Sequence, residues 1–269
     1  MTTGRVIGRN TAKVDGTDKV TGVAQFGADV YLPGMLVGKI LRSPHAHARI
    51  LRIDTTKAEA LHGVKAVITW QDFLAAASAA DREGGDSARH SYLREKIMAS
   101  GKALFHGHPV AAVAATTAEI AEEALALIEV EYQPLPHVLD PVTSMEPGAP
   151  LLHQDLFTRS AQGASLTPSN VAEHLHMGRG DVEGGFAMAD VVVERHFKTH
   201  TVHQGYIEPD SETAFARPDG TLLVWANTQA TYTQRTDLSV LLGIPENRIK
   251  VVPMEVGGAF GGKESVRVS

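Results

Sequence analysis

The chain of 269 residues carries 25 Lys and Arg against 31 Asp and Glu, a formal charge of −6, with 43% hydrophobic and 21% charged residues. That balance, without a basic tail, argues against binding the phosphate backbone of nucleic acid, and about 150 residues per domain suggests roughly two domains. Cysteine is absent, which excludes disulfides, a thiol nucleophile, zinc–thiolate sites and any iron–sulfur cluster held by this chain's own thiolates. No apolar h-region follows Met1-Thr2-Thr3-Gly4-Arg5, and the longest apolar stretches fall short of the ~18 residues a membrane span needs. A cytoplasmic protein with no signal peptide and no membrane span is expected.

In chain order, Val20 to Val30 and Met35 to Arg42 read as strands separated by a Pro33-Gly34 turn. Ile50 to Ile53 and Val64 to Trp70 are further strands. Between them Thr55 to Leu61 reads as a short helix, capped by Thr55 or Thr56 and closed before Gly63. Residues 75 to 100, with Asp81-Arg82-Glu83-Gly84-Gly85-Asp86, read as an exposed insertion or loop. Val110 to Ala115 is a strand leading into Thr116-Thr117-Ala118-Glu119, where Thr and Glu stand three apart as in a capping box. Ile120, Ala124, Leu127 and Ile128 then mark one face of an amphipathic helix, and Ile128 to Tyr132 turns strand-like before Pro134, Pro136 and Pro141. Strand, helix and strand in that order argue for an α/β unit.

Residues 141 to 180 are rich in Pro, Gly, Ser and Thr and read as a long ordered linker. Beyond it, Val191 to Phe197 and Glu212 to Arg217 are strand candidates. The turn Pro218-Asp219-Gly220 followed by Leu222 to Trp225 completes a hairpin. Thr233 to Leu242 reads as a helix closed by Gly243, and Ile249 to Val252 as a final strand. The expected fold class is α/β with mixed sheets, divided as 1–140, a linker over 141–180, and a second domain over 181–269.

The most specific segment is Val256-Gly257-Gly258-Ala259-Phe260-Gly261-Gly262-Lys263-Glu264. Glycine at this density permits positive φ and lets backbone N–H groups approach a ligand closely, which suits an anionic or oxo-bearing ligand. A plain tight turn would explain the glycines alone. A phosphate-binding loop is a near miss. Gly257 and Gly262-Lys263 fit G-x-x-x-x-G-K, but Glu264 stands where Ser or Thr should hold magnesium, and its charge would repel phosphate.

The segment from Gly257 to Glu264 resembles the glycine-rich molybdenum–pterin loop of the xanthine dehydrogenase and aldehyde oxidase family. Leu223-Val224-Trp225-Ala226-Asn227-Thr228-Gln229 is similar to that family's strand ending in Thr-Gln, and Leu242-Gly243-Ile244-Pro245-Glu246-Asn247-Arg248-Ile249 to its connecting segment. Lys19-Val20-Thr21-Gly22, the run from Leu41 to Ile50, and Glu131-Tyr132-Gln133-Pro134-Leu135-Pro136 resemble the preceding α/β hammerhead domain. The matches follow the family's order along nearly the whole chain. The resemblance implies a hammerhead domain followed by an incomplete molybdopterin-binding domain.

It further implies a hydroxylase of xanthine dehydrogenase type that oxidises a heterocycle or aldehyde carbon with oxygen from water. The cofactor would be a molybdenum–pterin in its cytosine dinucleotide form, with electrons passing to 2Fe-2S and FAD groups on partner subunits. Gln229 would aim its side-chain amide at an oxo ligand of the metal. Phe260 and Gly261 would bring backbone to the same metal environment, with Gly257, Gly258, Ala259 and Gly262 completing the cofactor-binding loop. Glu264 stands where purine-oxidising members carry a substrate-binding glutamate. No catalytic base is expected here, because the family's general-base glutamate lies downstream of this loop and no G-x-G-E segment occurs. A second half of the molybdenum subunit, an iron–sulfur subunit and an FAD subunit are therefore the expected partners. The alternative is a scaffold or assembly module, or a truncated product, that holds no molybdenum.

Other residues rank lower. His45 and His47 would share one strand face. His196, His200 and His203 have helical metal-ligand spacing, but their neighbours favour a strand, which would scatter the rings. Tyr206-Ile207-Glu208-Pro209 resembles a family segment near the active site, although the family usually continues with a residue other than Asp210. Glu208 is thus a secondary candidate. Ser43, Ser211 and Ser265 lack a recognisable His and acid partner for nucleophilic catalysis.

Overall fold

The computed structural model describes residues 7–73 and 87–266. Among these residues, four three-stranded sheets and several short helices give the mixed α/β architecture. The first half runs α1 (Gly16–Thr21), β1 (Val37–Arg42), β2 (Ala48–Asp54), α2 (Thr56–Ala60), β3 (Val64–Thr69), α3 (Ser87–Ile97), β4 (Lys102–Ala103), β5 (Pro109–Ala115), α4 (Ala118–Leu127) and β6 (Glu129–Pro134). The second runs α5 (Pro141–Ser144), β7 (Phe157–Ser160), β8 (Gly163–Pro168), β9 (Glu173–His174), α6 (Val182–Met188), β10 (Glu212–Ala216), β11 (Leu222–Ala226), α7 (Thr231–Leu242) and β12 (Ile249–Pro253). No helix among the described residues is long and apolar enough to cross a membrane.

In the first half β5 lies between β1 and β3, antiparallel to both, and β2 lies between β4 and β6. Helices α2 and α4 cover the β5 sheet through Ala58, Ala121, Ala124 and Ile128 against Ala111, Val113 and Ala115. Alanine on both facing surfaces brings helix and sheet close together. This core therefore depends on tight approach, and added volume would cost about 1–3 kcal/mol. Buried His108 ties α3 to this sheet: its Nε2 donates to the Glu95 carbonyl at 2.7 Å and its Nδ1 accepts from Leu104 N–H at 3.2 Å. Burial holds its pKa below the usual histidine range, consistent with that neutral tautomer.

The structure departs from the sequence reading at five places. Val20 to Val30 is not a strand. Lys19 pairs with Asp15 four residues back in α1, Gly22 ends the helix in the left-handed conformation, and the chain then docks on the second half through a Phe26–Glu255 bridge. The segment assigned to a loop over 75 to 100 contains α3, because Leu93 and Ile97, four apart, bury against Leu241 and Val266; residues 75–86 fall outside the described residues. The cap of α4 is Thr117, whose hydroxyl accepts from Ile120 N–H at 3.3 Å, one residue later than the capping box proposed on Thr116. His45 and His47 lie in the turn between β1 and β2 and not on a strand. Val191 to Phe197 is extended coil with exposed side chains, since no strand among the described residues offers it a ladder.

The stretch 141–180 holds α5, capped by Asp140 through Val142 and Thr143 N–H, and a small sheet in the order β8-β7-β9. Downstream, β10 and β11 form the antiparallel hairpin closed by Pro218-Asp219-Gly220, with Gly220 N–H donating to the Arg217 carbonyl at 3.0 Å. β11 then passes through α7 to β12, which pairs with it in parallel, Ala226 opposite Pro253. Gly243 terminates α7 with φ of 64°. Val224, Ala226, Ile249 and Val251 form the core of this sheet.

The position of the α4 cap is testable. Thr117→Ala should lower unfolding stability by about 1 kcal/mol, and Thr116→Ala by far less. Urea unfolding of both variants checks this, and an equal or reversed pair of losses would overturn the assignment.

Candidate functional site

Parallel pairing places the C-terminal ends of β11 and β12 side by side. Gln229 lies just beyond the first and the loop Gly257–Gly262 just beyond the second. Open α/β sheets hold ligands at this kind of edge. Two hydrogen bonds close the gap: Gln229 N–H donates to the Lys263 carbonyl at 2.8 Å, and Lys263 N–H donates to Gln229 Oε1 at 3.2 Å. The second bond settles the amide orientation, because only the oxygen can accept from an N–H. Gln229 is exposed, and its Nε2 has no partner among the described residues.

The loop turns through positive φ at Gly258 (102°), Phe260 (50°) and Gly261 (85°). Phe260 is the only non-glycine residue with positive φ among the described residues, and the residue is 72% exposed. Gly257 N–H donates to Glu208 Oε2 at 2.7 Å and Gly262 N–H to the Ala259 carbonyl at 2.7 Å. Between these anchored amides, those of Gly258, Ala259, Phe260 and Gly261 donate to nothing among the described residues. Consecutive free amides on a backbone of this shape make a concave donor surface for an anion or oxo group. The cradle admits no side chains at its ends. A Cβ on Gly257 would lie 2.8 Å from Glu208 Cβ, and one on Gly262 would lie 2.6 Å from Tyr206 Cε1.

Neighbouring groups fix the underside. Asn227 is buried; its Oδ1 accepts from Ser211 N–H at 3.1 Å and its Nδ2 donates to the Pro209 carbonyl at 2.9 Å. That bracket holds Tyr206-Ile207-Glu208-Pro209 beneath the loop. Lys263, 3% exposed, turns inward to Glu208, with Nζ to Oε2 at 2.6 Å and 5.0 Å from the Tyr206 ring centre. A lysine spent this way cannot serve a phosphate, the physical reason the P-loop pattern is a near miss. Glu264 is exposed, and its carboxylate has no partner among the described residues.

The site thus unites Gln229, Gly257, Gly258, Ala259, Phe260, Gly261 and Gly262, with Glu264 at its margin. His45 packs edge-on against Tyr132 at 5.0 Å, and His47 Nδ1 donates to the Pro136 carbonyl at 2.8 Å, both in the first half of the chain. His196, His200 and His203 lie on exposed coil, and only His203 nears the site, 5.0 Å from Tyr206. Ser43, Ser211 and Ser265 meet backbone, Asn227 and Lys96 respectively. Sequence reasoning missed the Glu208–Lys263 pair and the Asn227 bracket. The signals for the former were a carboxylate left as secondary and a lysine inside a glycine run.

Beside the loop, Asp210, Glu212, Asn227, Gln234 and Lys263 line a small recess. Glu212 as a residue is exposed on the edge strand β10, but Gln234 Nε2 donates to its Oε1. Crowding of this carboxyl by the protein, aided by the like charge of Asp210, pushes its pKa up to about 6 against the Gln234 bond, which acts the other way.

Residues 21–136 match the family model described as aldehyde oxidase and xanthine dehydrogenase, a/b hammerhead domain, and residues 165–269 match the molybdopterin cofactor-binding domain. A probable xanthine dehydrogenase subunit of Bacillus subtilis is 35% identical over 94% of this chain and 31% of its own length. The carbon monoxide dehydrogenase large chain of Afipia carboxidovorans is 38% identical over 90% of this chain and 30% of its own. Among solved structures, quinoline 2-oxidoreductase from Pseudomonas putida superposes with a TM-score of 0.75 at 29% identity, covering 96% of this chain and 31% of that one. The chain belongs to the xanthine dehydrogenase and aldehyde oxidase family, carrying its hammerhead sequence and a molybdopterin cofactor-binding sequence. It spans about a third of the length of these three relatives.

The raised pKa of Glu212 has a definite sign. The folded chain holds this proton more tightly than the unfolded chain, so the contribution is fully present below about pH 4.5 and is lost as pH rises through about 6. Wild-type urea midpoints should therefore fall relative to those of Glu212→Gln between these two values. A difference constant across that window would overturn the assignment.

Proposed function

We propose that this chain binds a molybdenum–pterin cofactor and forms part of a hydroxylase that oxidises a heterocycle or aldehyde carbon. The observation that carries this reading is the run of four unengaged amides, Gly258 to Gly261, in the loop bonded to the oriented Gln229 amide. The donor set fits the group. The oxo groups of an anionic cofactor are acceptors and this surface presents donors, and the carboxylate bonded to the loop, Glu208, is engaged through its Oε2 by Gly257 N–H and Lys263 Nζ. When bound, the cofactor supplies a two-electron oxidation using oxygen from water.

The chain's own residues then bind and orient. Gln229 Nε2 and the amides of Gly258, Ala259, Phe260 and Gly261 would hold the oxo-bearing cofactor as hydrogen-bond donors, with the exposed Phe260 beside them. Glu264 hydrogen-bonds a polar heterocyclic substrate. Its freedom from Lys263 supports that role, because the neighbouring cation is already neutralised by Glu208. A cysteine-free sequence cannot ligate a 2Fe-2S cluster with thiolates, so in this reading iron–sulfur and FAD groups lie on partner subunits. The general-base glutamate and the rest of the cleft come from a second part of the molybdenum subunit. The cytosine dinucleotide form of the pterin and a cytoplasmic setting belong to the same proposal.

Molybdenum per chain, measured after gentle purification with its partners from a host that makes the cofactor, tests this directly. Near-stoichiometric metal is expected, and Gln229→Ala should lower its occupancy or shift the spectrum of the metal centre. A well-folded complex without metal would overturn the reading and leave an assembly scaffold in its place.

Substrate recognition is tested separately. Glu264→Ala should lower kcat/KM for a polar heterocycle by about 10- to 100-fold, the worth of one charge-assisted hydrogen bond, while simple aldehydes lose far less. Equal losses on both substrate classes would remove Glu264 from recognition.

A further inference from the structure

One carboxylate oxygen holds both ends of the glycine loop. Glu208 Oε2 accepts from Gly257 N–H at 2.7 Å and from Lys263 Nζ at 2.6 Å, spanning six residues of chain. The Lys263 side chain is 2% exposed and that of Glu208 15%, so the pair sits in a poorly solvated place where its attraction is little screened. The same Lys263 holds Gln229 with its main chain, giving its N–H to Gln229 Oε1 and its carbonyl to Gln229 N–H and to Thr228 Oγ1 at 3.3 Å. No hydrogen bond joins Glu208 to Gln229. Glu208 reaches Gln229 only through Lys263.

We infer that Glu208 is a positioning residue: by clamping Gly257 and Lys263 together it sets the orientation of the Gln229 amide and the curvature of the free-amide surface. Tyr206 completes the clamp, filling the space where Gly257's counterpart at the other end, Gly262, has no side chain, and offering its ring to the Lys263 ammonium. Without the carboxylate, a buried ammonium loses its counter-charge and must move toward water. Its main chain then moves too, and the bond that orients Gln229 is the first affected. What Gln229 is oriented toward rests on the molybdenum reading; the coupling between Glu208 and Gln229 does not.

Hydrogen–deuterium exchange of the full chain, in the complex with which it purifies, reads the coupling without any activity. In Glu208→Gln the peptides covering 227–231 and 257–264 should exchange about tenfold faster, while 109–115 in β5 and 222–226 in β11 stay as in wild type. Unchanged exchange over 227–231 would overturn the inference, and so would uniform acceleration that includes both control strands, because that marks a purely structural role. Should Glu208→Gln fail to accumulate, Glu208→Asp keeps the charge but withdraws it by one methylene. The same local loosening is expected there, and its absence counts equally against the inference. Wild-type complex without molybdenum would remove the cofactor reading while leaving the exchange result to stand on its own.

Discussion

The site exists because β12 lies parallel to β11. An antiparallel return would have put the glycine loop at the opposite end of the sheet from Gln229, whereas the crossover through α7 brings both strands to the same edge, level at Ala226 and Pro253. Neighbouring features serve that edge. The helix ends at Gly243 in time for the chain to re-enter the sheet, and the ladder runs on past the strands as Met254 N–H donates to the Ala226 carbonyl at 2.9 Å. Beyond that point Glu255 bridges Phe26, and the chain then enters the glycine loop, where the amides of Gly258 to Gly261 are unengaged.

A loop of four glycines in six residues has high conformational entropy, and an open donor surface cannot stabilise itself before its ligand arrives. The fold compensates beneath it. Asn227 grips Pro209 and Ser211, Glu208 grips Gly257 and Lys263, and Tyr206 fills the space next to Gly262. The amides of Gly258 to Gly261 stay unengaged, while the groups beneath them are tied together through Asn227 and Glu208 Oε2. This division explains why the lysine of an apparent G-x-x-x-x-G-K pattern points inward.

The first half of the chain reaches this site as well. Lys19 bonds Glu255 at 2.9 Å, Glu255 N–H donates to the Gln25 carbonyl at 3.0 Å, and Gly27 packs where a Cβ would strike the Ser211 carbonyl at 2.6 Å. On the other side α3 packs on α7 through Leu93, Ile97, Leu241 and Val266, and Lys96 donates to Ser265 Oγ at 3.1 Å. The segment before the loop and the segment after it are thus both held by the hammerhead half, which makes that half a support for the glycine loop.

Local chemistry made much of this legible in the linear sequence. The hairpin at Pro218-Asp219-Gly220, the helix closed by Gly243, the strands around Val110 to Ala115 and the glycine loop all announce themselves through turn residues, periodicity and backbone freedom, which act over a few residues. Gln229 and the loop stand out as candidates because their types and order resemble a family. What failed depended on distant partners. Val20 to Val30 and Val191 to Phe197 have strand composition, but a strand forms only beside another strand. The helix over 87–97 shows its apolar pair only once Leu241 and Val266 supply a surface. Above all, the pairing of Glu208 with Lys263 joins residues 55 positions apart. Composition and spacing carry short-range preferences, whereas the burial that makes that ion pair matter arises only when the sheet edge, the Tyr206 segment and the loop meet in three dimensions.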